Sequence, residues 1–418
     1  MSLISTVLNM DFSQIFIILQ ILSFFLFFGM IFFLPKFMVW QANRKMDSVI
    51  MDLSAYHNDA EEYFLEKMRP VDGYSEKYRS MKNFQFSQPT ALDPAGMVER
   101  LENVLDASEH KFKRFVKKNA ETEDKEELAD LNMAFKGVMG THQMKKIVEH
   151  FKEIINSTKN FQVVGLVQMM LPIYKELAES QKAATRAFAD SAPIGDAIGP
   201  MVAAKMITEE PEEISEDIIH SEEEINGQKT HIIKSKGPGA RLGKYGEAIE
   251  QIAEENDLKA LITVDAASKF ESEDTGTVNE GVGVMMGGPG VEKSKIEESA
   301  LEHDIPLEGI VIKQSAPEAS KPMKKEIFDA WKPAKKKAES IAEEFEGEVA
   351  IVGVGNTCGI GNTRESTNGV HNKLRKYWKE YEKQEDKVSQ MGLMSIMGGP
   401  DQQQKKNILN SYIWTGLR

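Results

Sequence analysis

The chain of 418 residues is almost without cysteine. Cys358 alone cannot close an intramolecular disulfide or supply a cysteine-rich metal site, and its isolation suits a reducing compartment. Basic residues are also in deficit, with 51 Lys and Arg against 65 Asp and Glu and a formal net charge of −14. A field of that sign repels nucleic-acid phosphates, so no nucleic-acid partner is expected. The third shortage is local: residues 15–34 carry no charged side chain and are dense in Phe, Ile and Leu. At about 1.5 Å per residue, Ile15 to Leu34 covers roughly 30 Å of hydrocarbon, one transmembrane helix. Residues 1–14 contain Asp11 but no Lys or Arg, so they lack the basic region of a cleavable signal peptide. Lys36, Arg44 and Lys45 follow the apolar run, with Trp40 placed for the interface. The expectation is a single-pass cell-membrane protein with its N-terminus (1–14) outside and its body cytoplasmic.

Proline and glycine are missing from residues 36–68, which read as a helix continuing out of the membrane as a stalk, within a stalk and linker over 35–88. Arg69-Pro70 and Asp72-Gly73 break it. Met97, Leu101, Val104 and Leu105 resume at helical spacing, Met144, Ile147, Val148, Phe151, Ile154 and Ile155 form an apolar stripe, and Phe161 to Glu179 forms another with Pro172 as a kink or break. Residues 89–190 are thus expected to be an all-α domain, a surface for a protein partner or homo-oligomer. His142 and His150 are about 12 Å apart on one helix, too far to share a metal.

Beyond Ser191 the pattern becomes short β-rich runs separated by helices, which predicts an α/β domain over 191–356, three-layered with a mainly parallel sheet. Strands are predicted at Lys229–Lys234, Ala260–Val264, Val278–Met285, Gly309–Lys313 and Val349–Val354. Helices are predicted at about Gly243–Glu255, Val291–Glu302 and Pro322–Glu346. The acidic stretch Glu209–Glu224 reads as a loop or insertion. Residues 357–418 are a basic aromatic helix, with Leu374 and Trp378 packing on the domain or the helix lying on anionic lipid, and then a Met/Gln-rich tail.

In an open α/β sheet, ligands bind beyond the carboxyl ends of the strands. Asp265 ends Leu261-Ile262-Thr263-Val264 and suits a metal ligand or general base, or a turn cap. Asp196 sits in the stiff turn Pro193-Ile194-Gly195-Asp196-Ala197-Ile198-Gly199-Pro200 beside a helix start, where capping serves as well as catalysis. Glu280 is a third candidate, or a solvent-facing strand residue. Gly287, Gly288 and Gly290 with Lys293 offer backbone N–H groups and an ammonium for an anion, though such a cluster also closes a turn. Gly237 to Lys244 fails as a phosphate loop because Tyr245 stands where Ser or Thr is required. Gly353, Gly355 and Asn356 do not complete a dinucleotide fingerprint and read as a backbone-lined crevice wall.

The aspartate turn, Ile262-Thr263-Val264-Asp265-Ala266, and Glu280-Gly281-Val282-Gly283-Val284 through Gly290 resemble an uncharacterised archaeal membrane-anchored family, the domain of unknown function 1512, from the membrane helix to about Asn356. That likeness implies no activity. The order of Gly195 to Pro200, Val264-Asp265-Ala266 and Thr275-Gly276 before Gly281-Val282-Gly283 is more distantly similar to the spore-protease and hydrogenase-maturation-protease superfamily. This likeness implies that Asp196 and Asp265 form an acidic pair that ligates a divalent metal or activates water for peptide hydrolysis. Two departures stand against it: the Gly-x-Gly-Asn strand occurs only at Gly353 to Asn356, as if permuted, and no histidine aligns with the motifs. The expected function is a membrane-tethered hydrolase with Asp196 and Asp265 as the pair and Glu280 in support. The alternative is a non-catalytic scaffold or small-anion-binding protein.

Overall fold

The computed structural model describes residues 12–83, 97–158, 161–284 and 290–396. Helix α1, Phe12–Met68, runs unbroken from the apolar segment through Pro35. Among the described residues it is the one helix long and apolar enough to cross a membrane. Its continuation is no free-standing stalk. Ala42, Met46 and Leu53 pack against Val148 and Ile155 of α4 (Lys125–Thr158) and against Val164, Val167 and Leu171 of α5 (Phe161–Ala189). α5 carries Pro172 without a break. Asp124 starts α4 by accepting the backbone N–H groups of Glu126 and Glu127 at 3.0 and 2.8 Å, the N-cap arrangement that satisfies otherwise orphaned donors. Lower down, Phe64 of α1 joins Phe135 of α4 at 5.5 Å, while Phe112 and Phe115 of α3 (Met97–Asn119) close the core. The short α2, Tyr74–Lys82, adds Tyr78.

This bundle is welded to the second domain. Asp130 of α4 accepts from the Ala240 N–H at 2.7 Å and from the Ser191 hydroxyl, and Arg241 pairs with Glu126 at 2.5 Å. Burial lifts the Asp130 carboxyl to about 6.

After a 3-10 turn, Gly195–Ala197, and helix α6, Ile198–Ala204, comes a sheet of seven strands. These are β1 Glu212–Ser215, β2 Ile218–Ile225, β3 Gln228–Ser235, β4 Leu258–Ser268, β5 Val278–Val282, β6 Leu307–Gln314 and β7 Glu348–Gly353, in the order β1-β2-β3-β7-β4-β6-β5. The helices α7 Tyr245–Glu255, α8 Val291–Glu302, α9 Ala316–Ser320, α10 Lys325–Asp329 and α11 Trp331–Ala342 connect them, and α12, Val370–Ile396, follows. One face packs on α6, α11 and α12 through Ile262, Val264, Ile310 and Ile351. The other packs on α7 and α8 through Leu261, Ile233 and Val352. Three layers result, as the sequence suggests.

Several expectations need correction. The acidic stretch Glu209–Glu224 is not a loop: it forms β1 and most of β2, joined to β3 through Asn226-Gly227, whose positive φ values of 54° and 81° make the tight turn that suits strand twist. The sheet is therefore mixed. β3, β7, β4 and β6 run parallel, but β1, β2 and the edge strand β5 pair antiparallel. The region Pro322–Glu346 splits into α10 and α11, and β5 stops at Val282. On α12, Val370, Leu374 and Trp378 enter the core, and the Trp378 indole N–H donates to the Met323 carbonyl at 2.8 Å. Phe328 and His371 stack edge-on against that indole at 5.4 and 5.1 Å. Trp378→Ala should lower stability by about 3–5 kcal/mol, the usual effect of truncating a buried aromatic, read as a drop in thermal midpoint.

Candidate functional site

β4 and β7 run in register to Val264 opposite Gly353, and the Val354 N–H donates to the Val264 carbonyl at 2.9 Å as the last rung. Past that rung the strands part. β4 continues beside β6 to Ser268 opposite Gln314, whereas the chain after β7 turns away through Gly355 and Asn356. The parting sets Asp265 and Asn356 at the carboxyl end of the sheet, where α/β folds place ligands. Asp265 is the first β4 residue beyond the rung, and Asn356 stands on the other lip.

The aspartate turn lies across this opening, and two glycines let it do so. A Cβ on Gly199 would lie 2.2 Å from the Val354 carbonyl oxygen and 2.4 Å from that of Val264. Gly355, at φ 135°, passes so close that a Cβ would sit 2.1 Å from the Asp196 carbonyl oxygen. The turn is thereby pressed onto the strand ends, which puts Asp196 beside Asn356.

Asp196 Oδ2 accepts from the Asn356 N–H at 3.0 Å, and the Asn356 side-chain oxygen accepts from the Cys358 N–H at 2.9 Å, which fixes the lip. Asp196 is closely surrounded by protein yet keeps solvent-accessible surface, the condition of a group set in a recess. Burial raises its carboxyl above the ordinary value, and the Asn356 N–H partly offsets this. Asp265 is buried. Its Oδ1 accepts from the Ala266 N–H at 2.6 Å, and its Oδ2 is buried with no hydrogen-bond partner. Burial first, and the neighbouring Asp196 charge second, push the Asp265 carboxyl well above the carboxylate range. Burial thus raises both carboxyls, and the neighbouring charge adds to the rise at Asp265.

Glu280 does not join them. It lies in register with Ile310, on the pleat that faces α11, and it ion-pairs with Lys337 of α11, whereas Asp265 lies in register with Val311 on the alternate pleat. Gly287 and Gly288 fall outside the described residues. Gly290 caps α8 with φ 85°, and Lys293 pairs within that helix with Glu297 at 3.6 Å, so neither is turned toward the aspartates. Gly353, Gly355 and Asn356 lie at the same sheet edge as Asp265, packed under the aspartate turn. Cys358 is fully buried, with its thiol pushed well up by burial, which makes it a poor nucleophile.

Gln314 escaped sequence reasoning. It ends β6 at the same edge, is buried, and has both amide atoms unpartnered, with its oxygen 2.4 Å from where a Gly195 Cβ would lie. A polar residue closing an apolar strand, as in Ile310-Val311-Ile312-Lys313-Gln314, is the signal that marks Asp265 and would have marked this residue too.

A family profile described as the N-terminal domain of a protein of unknown function (DUF1512) matches residues 20–191. A second, described as the C-terminal part of the domain of unknown function (DUF1512), matches residues 194–361. No curated protein and no solved structure matches the chain. The boundary between the two profiles falls at the turn leading into Asp196.

Proposed function

The chain belongs to the DUF1512 family, and from that premise we propose that it is a membrane-tethered hydrolase acting on peptide-like bonds through the Asp196–Asp265 pair. The single observation that carries this reading is the buried, unpartnered Oδ2 of Asp265 beside a second carboxylate, Asp196, whose charge it feels. An orphaned buried carboxyl oxygen is costly to maintain, by about 1–3 kcal/mol or more, and such costs concentrate where substrate supplies the missing partner. In the mechanism, ionised Asp196 takes a proton from a water in the recess, and that water attacks the scissile carbonyl. Protonated Asp265 gives its Oδ2 proton to the departing amine. The Asn356 N–H holds Asp196 in orientation for this role. Asp196 and Asp265 would also be the residues to hold a divalent ion, which would supply Lewis-acid activation of the water. The distant likeness to the spore-protease and hydrogenase-maturation-protease superfamily supports the peptidase form of the reading. α1 crosses the cell membrane, and Lys36, Arg44 and Lys45 set the body on the cytoplasmic side.

The test is turnover of fluorogenic peptide and ester panels by the full-length protein in lipid nanodiscs, together with its metal content. Asp196→Asn and Asp265→Asn should each lower turnover by at least about 100-fold, the scale of positioned acid–base catalysis, with the fold intact. Turnover unmoved by both substitutions, or absent on every probe, would sink the hydrolase reading. A second reading, a membrane-tethered scaffold, is favoured by the stripe Leu166, Met169 and Ile173 on α5, all more than half exposed at helical spacing. Met169→Glu should then abolish a partner complex and leave hydrolysis untouched.

A further inference from the structure

At the far end of the sheet from the aspartates, the β2–β3 hairpin brings two histidines together. The Asn226-Gly227 turn sets Ile225 opposite Gln228, which places Glu222 directly opposite His231 and His220 one pleat further along, opposite Ile233. His220, Glu222 and His231 therefore share one face, because residues two apart on a strand point the same way. The His220 and His231 rings are stacked, 13° from parallel with centroids 5.2 Å apart, and His220 Nε2 stands 3.0 Å from His231 Nδ1. One ligand atom from each histidine and an oxygen of Glu222 all lie within 4.8 Å of one another.

The outer nitrogens decide what the inner ones are. His231 Nε2 lies 3.0 Å from Glu348 Oε2, so this nitrogen carries the proton and Nδ1 presents a lone pair. His220 Nδ1 stands 3.7 Å from Glu212 Oε1, beyond hydrogen-bond reach, so in the metal-free protein the His220 proton sits on Nε2 and is donated to His231 Nδ1. A metal ion that displaced this one proton would meet two imidazole nitrogens and the Glu222 carboxylate in one place. Both rings are buried, while Glu222 is exposed and pairs with Lys229 at 3.2 Å, an ammonium that an ion would displace.

We propose that His220, His231 and Glu222 bind one zinc ion, with water as the fourth ligand and with Glu348 orienting His231 from behind. Two imidazoles and a carboxylate with one open position form a known zinc donor set, and tetrahedral ligands at about 2.0–2.2 Å from the ion stand roughly 3.3 Å apart, against 3.0 Å between the two nitrogens here and at most 4.8 Å to the Glu222 oxygen. A carboxylate on the far nitrogen of a ligating histidine fixes its tautomer and raises its basicity. The ion staples β2 to β3 and, through Glu348, to the start of β7. Glu348 opens β7 and Asn356 lies past its end, so about 20 Å of strand separates this site from the crevice. The site stands independently of the hydrolase reading.

Full-length protein in detergent, stripped with chelator and then given zinc chloride, is expected to retain one equivalent through gel filtration. Cobalt in its place should give the absorption of a four- or five-coordinate ion. Glu222→Gln, at an exposed position that leaves folding intact, should weaken zinc binding at least tenfold, and Glu348→Gln about 10–100-fold, the usual loss on removing an orienting carboxylate. Asp265→Asn should leave the stoichiometry at one. Folded wild type that takes up no zinc would overturn the proposal, and would mean that His220 simply donates its Nε2–H to His231. Zinc lost in Asp265→Asn and kept in Glu222→Gln would overturn it as well, by moving the ion to the crevice.

Discussion

Lys234→Met is expected to stabilise the protein by about 3 kcal/mol at pH 7 and to flatten its stability profile on the alkaline side. Lys234 lies on β3 fully buried, and its ammonium donates to two neutral acceptors, the Ser235 carbonyl at 2.8 Å and the Asn362 side-chain oxygen at 3.2 Å. Burial, with the Arg241 charge adding to it, pulls the amine from 10.5 down to about 7. The folded chain therefore binds fewer protons at this site than the unfolded chain between about pH 7 and 10.5. Stability climbs across that window as pH rises, and the burden of the buried lysine is felt in full below about pH 7. At roughly 1.4 kcal/mol per pH unit the burden amounts to about 5 kcal/mol. Methionine fills a similar length without charge and gives up two hydrogen bonds of about 1 kcal/mol each, which leaves the net gain stated. Thermal midpoints of both proteins at pH 6, 7, 8 and 9 check it. The wild type should gain stability along that series and the variant should not. Parallel curves would mean that the ammonium finds compensation in the folded protein.

Gly199→Ala is expected to act in the opposite direction, with a loss of about 3 kcal/mol or more together with loss of the Asp196 site. The added methyl would meet two carbonyl oxygens that both belong to strand ends, and backbone at the edge of a sheet cannot swing aside as a side chain can. Overpacking of this kind costs about 1–3 kcal/mol when side chains can adjust, and more when they cannot. α6 must lift from β4 and β7, which opens the contacts of Met201, Val202 and Ala203 in the core and breaks the bond from Asn356 to Asp196. Gly165, on α5 with open space around its Cα, is the control: Gly165→Ala should stabilise by about 0.5–1 kcal/mol through helix propensity alone. Midpoints of the two variants that moved together would show that helix propensity outweighs close approach at Gly199.

The parallel strands were easy to see in the sequence because both their faces are buried, so Ala260 to Val264, Gly309 to Lys313 and Val349 to Val354 are nearly continuous apolar runs. β1 and β2 were hidden for the opposite reason. At Glu222 to Glu224 the hairpin carries charge that local composition reads as solvated loop, although Ile218 to Ser221 is buried and Asn226-Gly227 gives the turn. With β2 overlooked, His220 and His231 had no reason to be read together. Asp265 was singled out by its place at a strand end, a rule that survives without knowledge of strand order, and Asp196 by its stiff Gly/Pro turn before a helix. Glu280 was grouped with them by the same rule and is carried away by strand direction: β5 runs antiparallel at the sheet edge and turns this carboxylate toward Lys337. What sequence could not supply was the pressure of α6 on the crevice, which depends on Gly199 and Gly355 meeting chain more than 150 residues apart.

The helix that leaves the apolar segment enters the bundle core without a joint. From Lys36 to Met68 it makes a strut of roughly 50 Å, clamped along its length by α4, α5 and the aromatic core below. A protein on a flexible leash sweeps out a volume and meets whatever diffuses through it, whereas a body on a strut is held at a set height; with the apolar segment in a bilayer, as proposed, any tilt of that segment would reach the domain that carries the aspartates as rigid motion.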